Sequence, residues 1–208
     1  MIEPKLSNPD SLYSVIAKFY DLGLWIFGYK LAVGYFVGLL PFKKNDYLKV
    51  LDAGCGTGLY TFALLRRFPN AQVWAFDLNT NMIEVMKNAV EERGLDNQVK
   101  IFTGDITKKL PLRHEQFDLI ITGGVLEYVD VELTVKNLSP YLKKGGYFLN
   151  SPVKDNLLAR IVGKLYRFKP HSRMTNIGTF TKNGFSLNGE RSFPIIKEAH
   201  LFQKYDTN

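Results

Sequence analysis

Cysteine is almost missing from this chain. Cys55 stands alone among 208 residues, which excludes an intramolecular disulfide framework and favours a reducing compartment. Histidine is scarce, and His114, His171 and His200 are scattered. No H-E-x-x-H, C-x-x-C, Ser-His-Asp or Cys-His arrangement is visible, so no catalytic metal or nucleophilic triad is expected. The N-terminus reads MIEPKLSNPD, with no basic stretch leading into an apolar one, and the expectation is a cytoplasmic protein without a secretory signal. The longest apolar run, Leu24 to Leu40, carries Lys30 as its one charge. As a helix it would reach about 26 Å, short of the roughly 20 apolar residues that a membrane span needs. Internal repeats, low-complexity tracts and Ser/Gly linkers are absent.

What remains is a globular chain with 46% apolar and 23% charged residues and a formal charge of +7. That surplus is unevenly placed. Residues 1–48 carry +1, residues 49–150 are neutral, and residues 151–208 carry +6. A basic segment suits nucleic acid, an anionic membrane or an acidic substrate, and charge alone does not choose.

Asn8-Pro9-Asp10 is a helix start, followed by Leu12, Val15, Ile16 and Phe19 on one stripe. From Leu48 the pattern becomes alternating strands and helices. Strands are expected over 48–53, 71–76, 98–103, 117–122 and 145–151. Helices are expected over 58–68, from Asn79 or Thr80 to about Arg93, and after Asp130. Such β-α units imply a parallel sheet covered on both faces. A basic amphipathic helix is expected over 153–169, with Leu157, Leu158, Ile161, Val162, Leu165 and Phe168 on one face and Lys154, Arg160, Lys164 and Arg167 around it. Segments 184–193 and 197–205 would close the sheet as an antiparallel pair.

Asp52-Ala53-Gly54-Cys55-Gly56-Thr57-Gly58 lies where the first strand turns into a helix. Glycines there permit positive φ and let a ligand approach bare backbone at the carboxyl edge of the sheet. Dinucleotide sites use G-x-G-x-x-G, whereas the spacing here is G-x-G-x-G with an acid, Asp52, closing the strand. A carboxylate beside the first glycine would repel a pyrophosphate and suit an ammonium or sulfonium.

VLDAGCGTG resembles the first motif of class I S-adenosylmethionine-dependent methyltransferases. The family's other motifs follow in order: Asp77 in VWAFDLNTNMIE, Gly104-Asp105-Ile106, FDLIITGGVLEYV and LKKGGYFLN. The likeness is close over about residues 48–150. TKNGFSLNGE and EAHLFQKY look like the family's last helix and hairpin. The resemblance implies a Rossmann-like, doubly wound, mostly parallel seven-stranded α/β sheet with a C-terminal antiparallel hairpin. Residues 1–47 would form a helical lid and 48–208 the cofactor-binding domain.

It also implies roles. Gly54, Cys55, Gly56 and Gly58 would pass close to the methionine part of S-adenosyl-L-methionine, with Asp52 acting at that end. Asp77 would take both ribose hydroxyls, an acceptor-only group facing two donors. Leu78 and Met82 would line the adenine pocket, with Gly104 and Ile106 beside it and Asp105 accepting from the adenine amino group. Thr122 and Gly123 would face the methionine moiety. Lys144 stands where relatives often have proline, and Tyr128 where many have histidine, which removes one candidate base.

Methyl transfer from a sulfonium is an in-line displacement that needs alignment and dryness more than a base, and S-adenosyl-L-homocysteine is its product. Glu127, Tyr128, Tyr20 and His171 are the candidates on the acceptor side, with Tyr20 placed in the lid. The overall pattern is similar to ubiquinone/menaquinone C-methyltransferases and bacterial phospholipid N-methyltransferases. The aromatic run 24–40 and the basic helix suit a small hydrophobic or lipid-like acceptor, with contact to an anionic membrane surface left open. Alternatives are an RNA or protein methyltransferase gripping its partner through the basic tail, or a non-catalytic S-adenosylmethionine-binding subunit. No nucleic-acid recognition module is visible, and T-G-G-V follows the fourth strand where an N-P-P-Y-like tetrad would be expected. Oligomeric state is not readable from this sequence.

Overall fold

Val50 and Leu51 are neighbours in the chain yet enter different cores, because successive side chains of a strand point to opposite faces. The computed structural model, which describes residues 29–112, 116–194 and 197–205, repeats this alternation through one seven-stranded sheet. The strands are β1 (Lys49–Ala53), β2 (Gln72–Asp77), β3 (Val99–Thr103), β4 (Phe117–Gly123), β5 (Leu142–Ser151), β6 (Phe185–Phe193) and β7 (Lys197–Lys204). Their spatial order is β3-β2-β1-β4-β5-β7-β6. The first five are parallel, and β7 lies antiparallel between β5 and β6. Strand placement agrees with the sequence reading within a residue or two, except that β5 starts earlier, at Leu142.

The described residues form six α-helices: α1 (Tyr29–Val37), α2 (Leu59–Arg67), α3 (Thr80–Glu91), α4 (Val131–Leu138), α5 (Leu157–Tyr166) and α6 (Arg173–Lys182). Asn79 caps α3, its side chain accepting from the backbone N–H groups of Asn81 and Met82; Asp130 does the same for α4 through Leu133. Helices α1, α2 and α3 bury their apolar sides on one face of the sheet, and α4 and α6 on the other. The apolar run of the N-terminal region thus continues as a packed helix. Ala32, Val33, Phe36 and Val37 are buried, and the Phe36 ring meets Phe193 edge-on at 6.4 Å. Residues 1–28, with the expected helix from Asn8 and the lid candidate Tyr20, lie outside the described residues, as does His114.

Chain order reverses direction between β1 and β4: β2 and β3 build out on one side, β4 onward on the other. The carboxyl ends of β1 and β4 therefore flank a crevice, the place where open α/β sheets take their ligands.

Candidate cofactor and acceptor site

The loop after β1 is stitched to the end of β2. Gly54 and Cys55 N–H donate to the Phe76 carbonyl at 2.8 and 2.9 Å, and Gly56 N–H donates to Asp77 Oδ2 at 2.9 Å. All three loop glycines have positive φ, and their missing side chains serve three different purposes. A Cβ on Gly54 would collide with Val125 Cγ2, so this glycine admits the loop that follows β4. A Cβ on Gly58 would lie 2.8 Å from the Phe62 ring and 3.2 Å from Met86 Cε, so this one admits the core. Gly56 alone faces open space, with nothing within 4 Å of its Cβ position.

Asp77 closes β2 beside it. Its Oδ1 accepts from Asn79 N–H at 2.9 Å, so the carboxylate has used two of its roughly four acceptor positions and keeps the others for a ligand. Next to it Leu78 is 68% exposed, an apolar shelf at the rim, with Met82 half-buried behind. The far wall is the loop after β3. Gly104 N–H donates to the Asp77 carbonyl at 3.0 Å, Ile106 is buried, and Phe76 stacks on Phe102 at 5.3 Å. Asp105 folds onto its own loop. Its Oδ1 accepts from Thr107 Oγ1 and N–H at 2.7 and 2.9 Å, and Lys108 Nζ lies 3.2 Å from Oδ2. The Thr107 hydroxyl bond is the main reason its carboxyl sits below the usual range.

Asp52 is buried beneath the loop. Its Oδ2 accepts from the Thr61 hydroxyl at 2.6 Å and the Thr61 N–H at 3.1 Å. Burial pushes its pKa up to about 6, against the opposing pull of those two bonds, with the Asp77 charge adding to the rise. Burial also pushes the Cys55 thiol well up, so it stays protonated. Thr122 turns inward and donates to Asn150 Oδ1 at 3.0 Å. Gly123 is bare because the Tyr60 ring occupies its Cβ space, with Cδ2 only 2.7 Å away.

After β4 a 3-10 turn holds Leu126–Tyr128. Glu127 is buried there, its Oε1 accepting from Val153 N–H and its carbonyl from Lys169 N–H at 3.1 Å. Lys197, bridged to Val153 at the start of β7, is within electrostatic reach of Glu127. Tyr128 is 52% exposed, tilted against Phe168 at 5.8 Å, and burial of its inner half raises its phenol pKa. His171 lies near Asp155, whose carboxyl is held down first by Arg160 and in small part by that histidine. A cleft of about 640 Å³ opens between this turn and α5.

Sequence reasoning does not find Val125, Thr61, Val153 or Lys197, each of which meets the site from another element. A threonine in the first turn of α2, above a strand-ending aspartate, is the one local signal among them.

Residues 50–146 match the family described as "Methyltransferase domain". That stretch is the glycine corner and the parallel strands around it. Together with the doubly wound sheet, it makes the chain similar to class I, S-adenosylmethionine-dependent methyltransferases. Its curated relatives include a malonyl-[acyl-carrier protein] O-methyltransferase of Priestia megaterium, 36% identical over 108 residues, covering 51% of this chain and 37% of that protein. A demethylmenaquinone methyltransferase of Leptospira interrogans is 32% identical over 128 residues, covering 60% and 51%. The chain thus spans about half or less of these two relatives. Among solved structures, an O-methyltransferase family protein from Burkholderia thailandensis superposes with a TM-score of 0.77 at 17% identity, over 92% of this chain and 60% of that one. A geranyl diphosphate methyltransferase bound to S-adenosylmethionine gives 0.71 at 14%, over 84% and 85%. These likenesses show the methyltransferase fold, hairpin included. The corner fits the family's cofactor: Gly56 leaves open backbone, Asp77 keeps free lone pairs beside it, and Leu78 offers an apolar face.

Proposed function

We propose that this protein transfers a methyl group from S-adenosylmethionine to a small, hydrophobic or lipid-like acceptor met at an anionic membrane surface. The observation that carries the reading is the Gly56–Asp77 corner, where open backbone and a half-used carboxylate lie side by side at the switch point. Asp77 accepts the two ribose hydroxyls. Leu78 and Met82 form the adenine shelf, and Asp105, Gly104 and Ile106 close its far side. Asp52 lies under the loop as the countercharge for the amino-acid end, and Gly123 lets the Tyr60 ring close the β4 side. When bound, S-adenosylmethionine supplies a methyl group already activated on a positively charged sulfur. The protein's contribution is alignment and exclusion of water. Glu127 serves this by bracing the turn after β4, and Tyr128 by presenting a protonated phenol toward the acceptor.

The membrane part rests on α5. Leu157, Leu158 and Ile161 are exposed while the small residues Ala159 and Gly163 face inward, and Arg160 and Lys164 flank the apolar stripe. An apolar face turned to solvent beside cations suits an anionic bilayer surface. Among the described residues no helix is long and apolar enough to cross a membrane.

Titration calorimetry with S-adenosylhomocysteine tests the first part, with micromolar or tighter binding expected and no binding at millimolar ligand sinking it. Flotation with vesicles tests the second. Phosphatidylglycerol vesicles should retain the protein, phosphatidylcholine vesicles should not, and Leu157→Ser with Ile161→Ser should abolish retention. Equal behaviour on both lipids would refute it.

A further inference from the structure

The chain reverses sharply after α5. Arg167 and Phe168 N–H both donate to the Gly163 carbonyl, and a Cβ on Gly163 would lie 2.6 Å from the Phe168 oxygen. The reversal carries Arg167, Phe168 and Lys169 back over the turn that follows β4, where Lys169 N–H is held by the Glu127 carbonyl. Between them lies the cleft of about 640 Å³, its aromatic side formed by Tyr128 and Phe168.

Charge in this cleft is lopsided. Arg160 is bound bidentately by Asp155, at 2.6 and 3.0 Å, so that pair cancels. Glu127 also lines the cleft, but it is buried, with its Oε1 accepting from Val153 N–H and its charge within reach of Lys197. Lys164, Arg167 and Lys169 also line the cleft, and none of the three makes an ion pair among the described residues. Arg167 is moreover the one non-glycine residue with positive φ among those described, at 57°. Glycine is the usual occupant of a helix-ending left-handed position, because a Cβ there crowds the following carbonyl. Holding an arginine at that position keeps a guanidinium over the cleft where an uncharged residue would fold more easily.

We infer that this cleft is a phosphate-binding subsite for the acceptor, with Lys164, Arg167 and Lys169 holding the anion and Tyr128 and Phe168 packing against the apolar part beside it. Three cations without carboxylate partners match a group with several charged oxygens, and a guanidinium binds such oxygens in pairs. The assignment rests on the methyltransferase reading for its role as an acceptor site. It places the anion next to the turn after β4, and hence the rest of the acceptor at the reacting edge. The phosphate is either on a lipid headgroup or on a soluble ester.

Calorimetric titration with inorganic pyrophosphate, with and without S-adenosylhomocysteine, separates the two claims. Wild type should bind pyrophosphate, and Lys164→Gln with Lys169→Gln should weaken it at least tenfold while leaving S-adenosylhomocysteine affinity unchanged. Arg167→Gly should also weaken pyrophosphate at least fivefold, yet melt at the same temperature or higher, which a merely unfolded variant would not do. Pyrophosphate affinity unaltered by these substitutions, or no pyrophosphate binding by a protein that takes S-adenosylhomocysteine, overturns the subsite. Loss of S-adenosylhomocysteine binding with pyrophosphate binding intact overturns the methyltransferase reading and the acceptor role, but not the anion site. Phosphatidylglycerol vesicles that compete with pyrophosphate identify a lipid source; vesicles that do not compete identify a soluble one.

Discussion

Gly54 and Val125 share the space of a single methyl group: a Cβ on Gly54 would collide with Val125 Cγ2 and stand 3.0 Å from Cγ1. The contact bridges the crevice between the β1 and β4 loops. Gly54→Ala should therefore destabilise the fold by about 2–3 kcal/mol, from overpacking and positive-φ strain together. Val125→Ala in the same chain should recover part of that loss in urea unfolding. Purely additive losses would show that the two loops do not lean on each other.

Gly56→Ala should behave differently. Its Cβ would meet nothing, so only the φ of 52° is penalised, by about 1–2 kcal/mol. The larger effect should be on S-adenosylhomocysteine affinity, with at least a tenfold loss in calorimetry. An alanine there that leaves affinity intact would remove the loop from the cofactor site.

Asp77→Ala takes away the acceptor of two loop N–H groups and of the expected ribose hydroxyls. Binding should fall by about 2–3 kcal/mol, the cost of leaving buried donors unmet. Asp77→Asn should keep only one of these backbone bonds, because they end on different carboxylate oxygens, and should lose less stability than alanine while still binding weakly. Undiminished affinity in both would move the ribose elsewhere.

Two buried groups make opposed contributions to pH dependence. Asp52 has its pKa raised to about 6, so its contribution to stability is present below the unfolded value near 3.8 and is lost as pH rises through 6. His200, buried on β7, has its pKa lowered to about 4, chiefly by desolvation. Its contribution is present above the unfolded value near 6.5 and is lost as pH falls through 4. Between about pH 4 and 6 the two slopes cancel. Asp52→Asn should unmask the histidine, giving stability that rises with pH by up to about 1.4 kcal/mol per unit. His200→Asn should give the reverse slope. Urea midpoints measured across that range would read both, and an unchanged slope in either variant would refute the assignment.

A cation delivered beside Asp52 would restore its charged form. S-adenosylhomocysteine, which carries an ammonium, should thus bind with uptake of charge on Asp52 and release of a proton. Affinity should climb from pH 4 to 6 by up to about a hundredfold, because two pKa units correspond to about 2.7 kcal/mol. Calorimetry in buffers of different ionisation enthalpy counts that proton directly.

Most of the sheet is readable in the sequence because each strand is a short apolar run, and α3 and α4 open on the capping side chains Asn79 and Asp130. Asp77 and the glycine loop are readable too, since their roles follow from chain-local order. The division of labour among Gly54, Gly56 and Gly58 is not, because the neighbours that fill two of those spaces, Val125 and Met86, come from other elements. The same holds for Glu127, whose exposure is decided by Val153 and Lys197. The orientation of α5 escapes a pattern reading for another reason. Its apolar stripe predicts burial, yet Ala159 and Gly163 are residues that pack, and Leu157, Leu158 and Ile161 face out.

Strand β7 comes seventh in the chain but lies inside the sheet, with β5 on one side and β6 on the other. Its first residue, Lys197, stands behind Glu127, and its pairing with β5 joins residues far apart in sequence. The hydrogen bonds of the cofactor corner, by contrast, from Gly54, Cys55 and Gly104 N–H and to the Asp77 carboxylate, close within the β1-to-β3 half. The acceptor wall is therefore tied to the far end of the chain: loosening the hairpin would slacken the brace behind Glu127 and leave the hydrogen bonds around Asp77 in place.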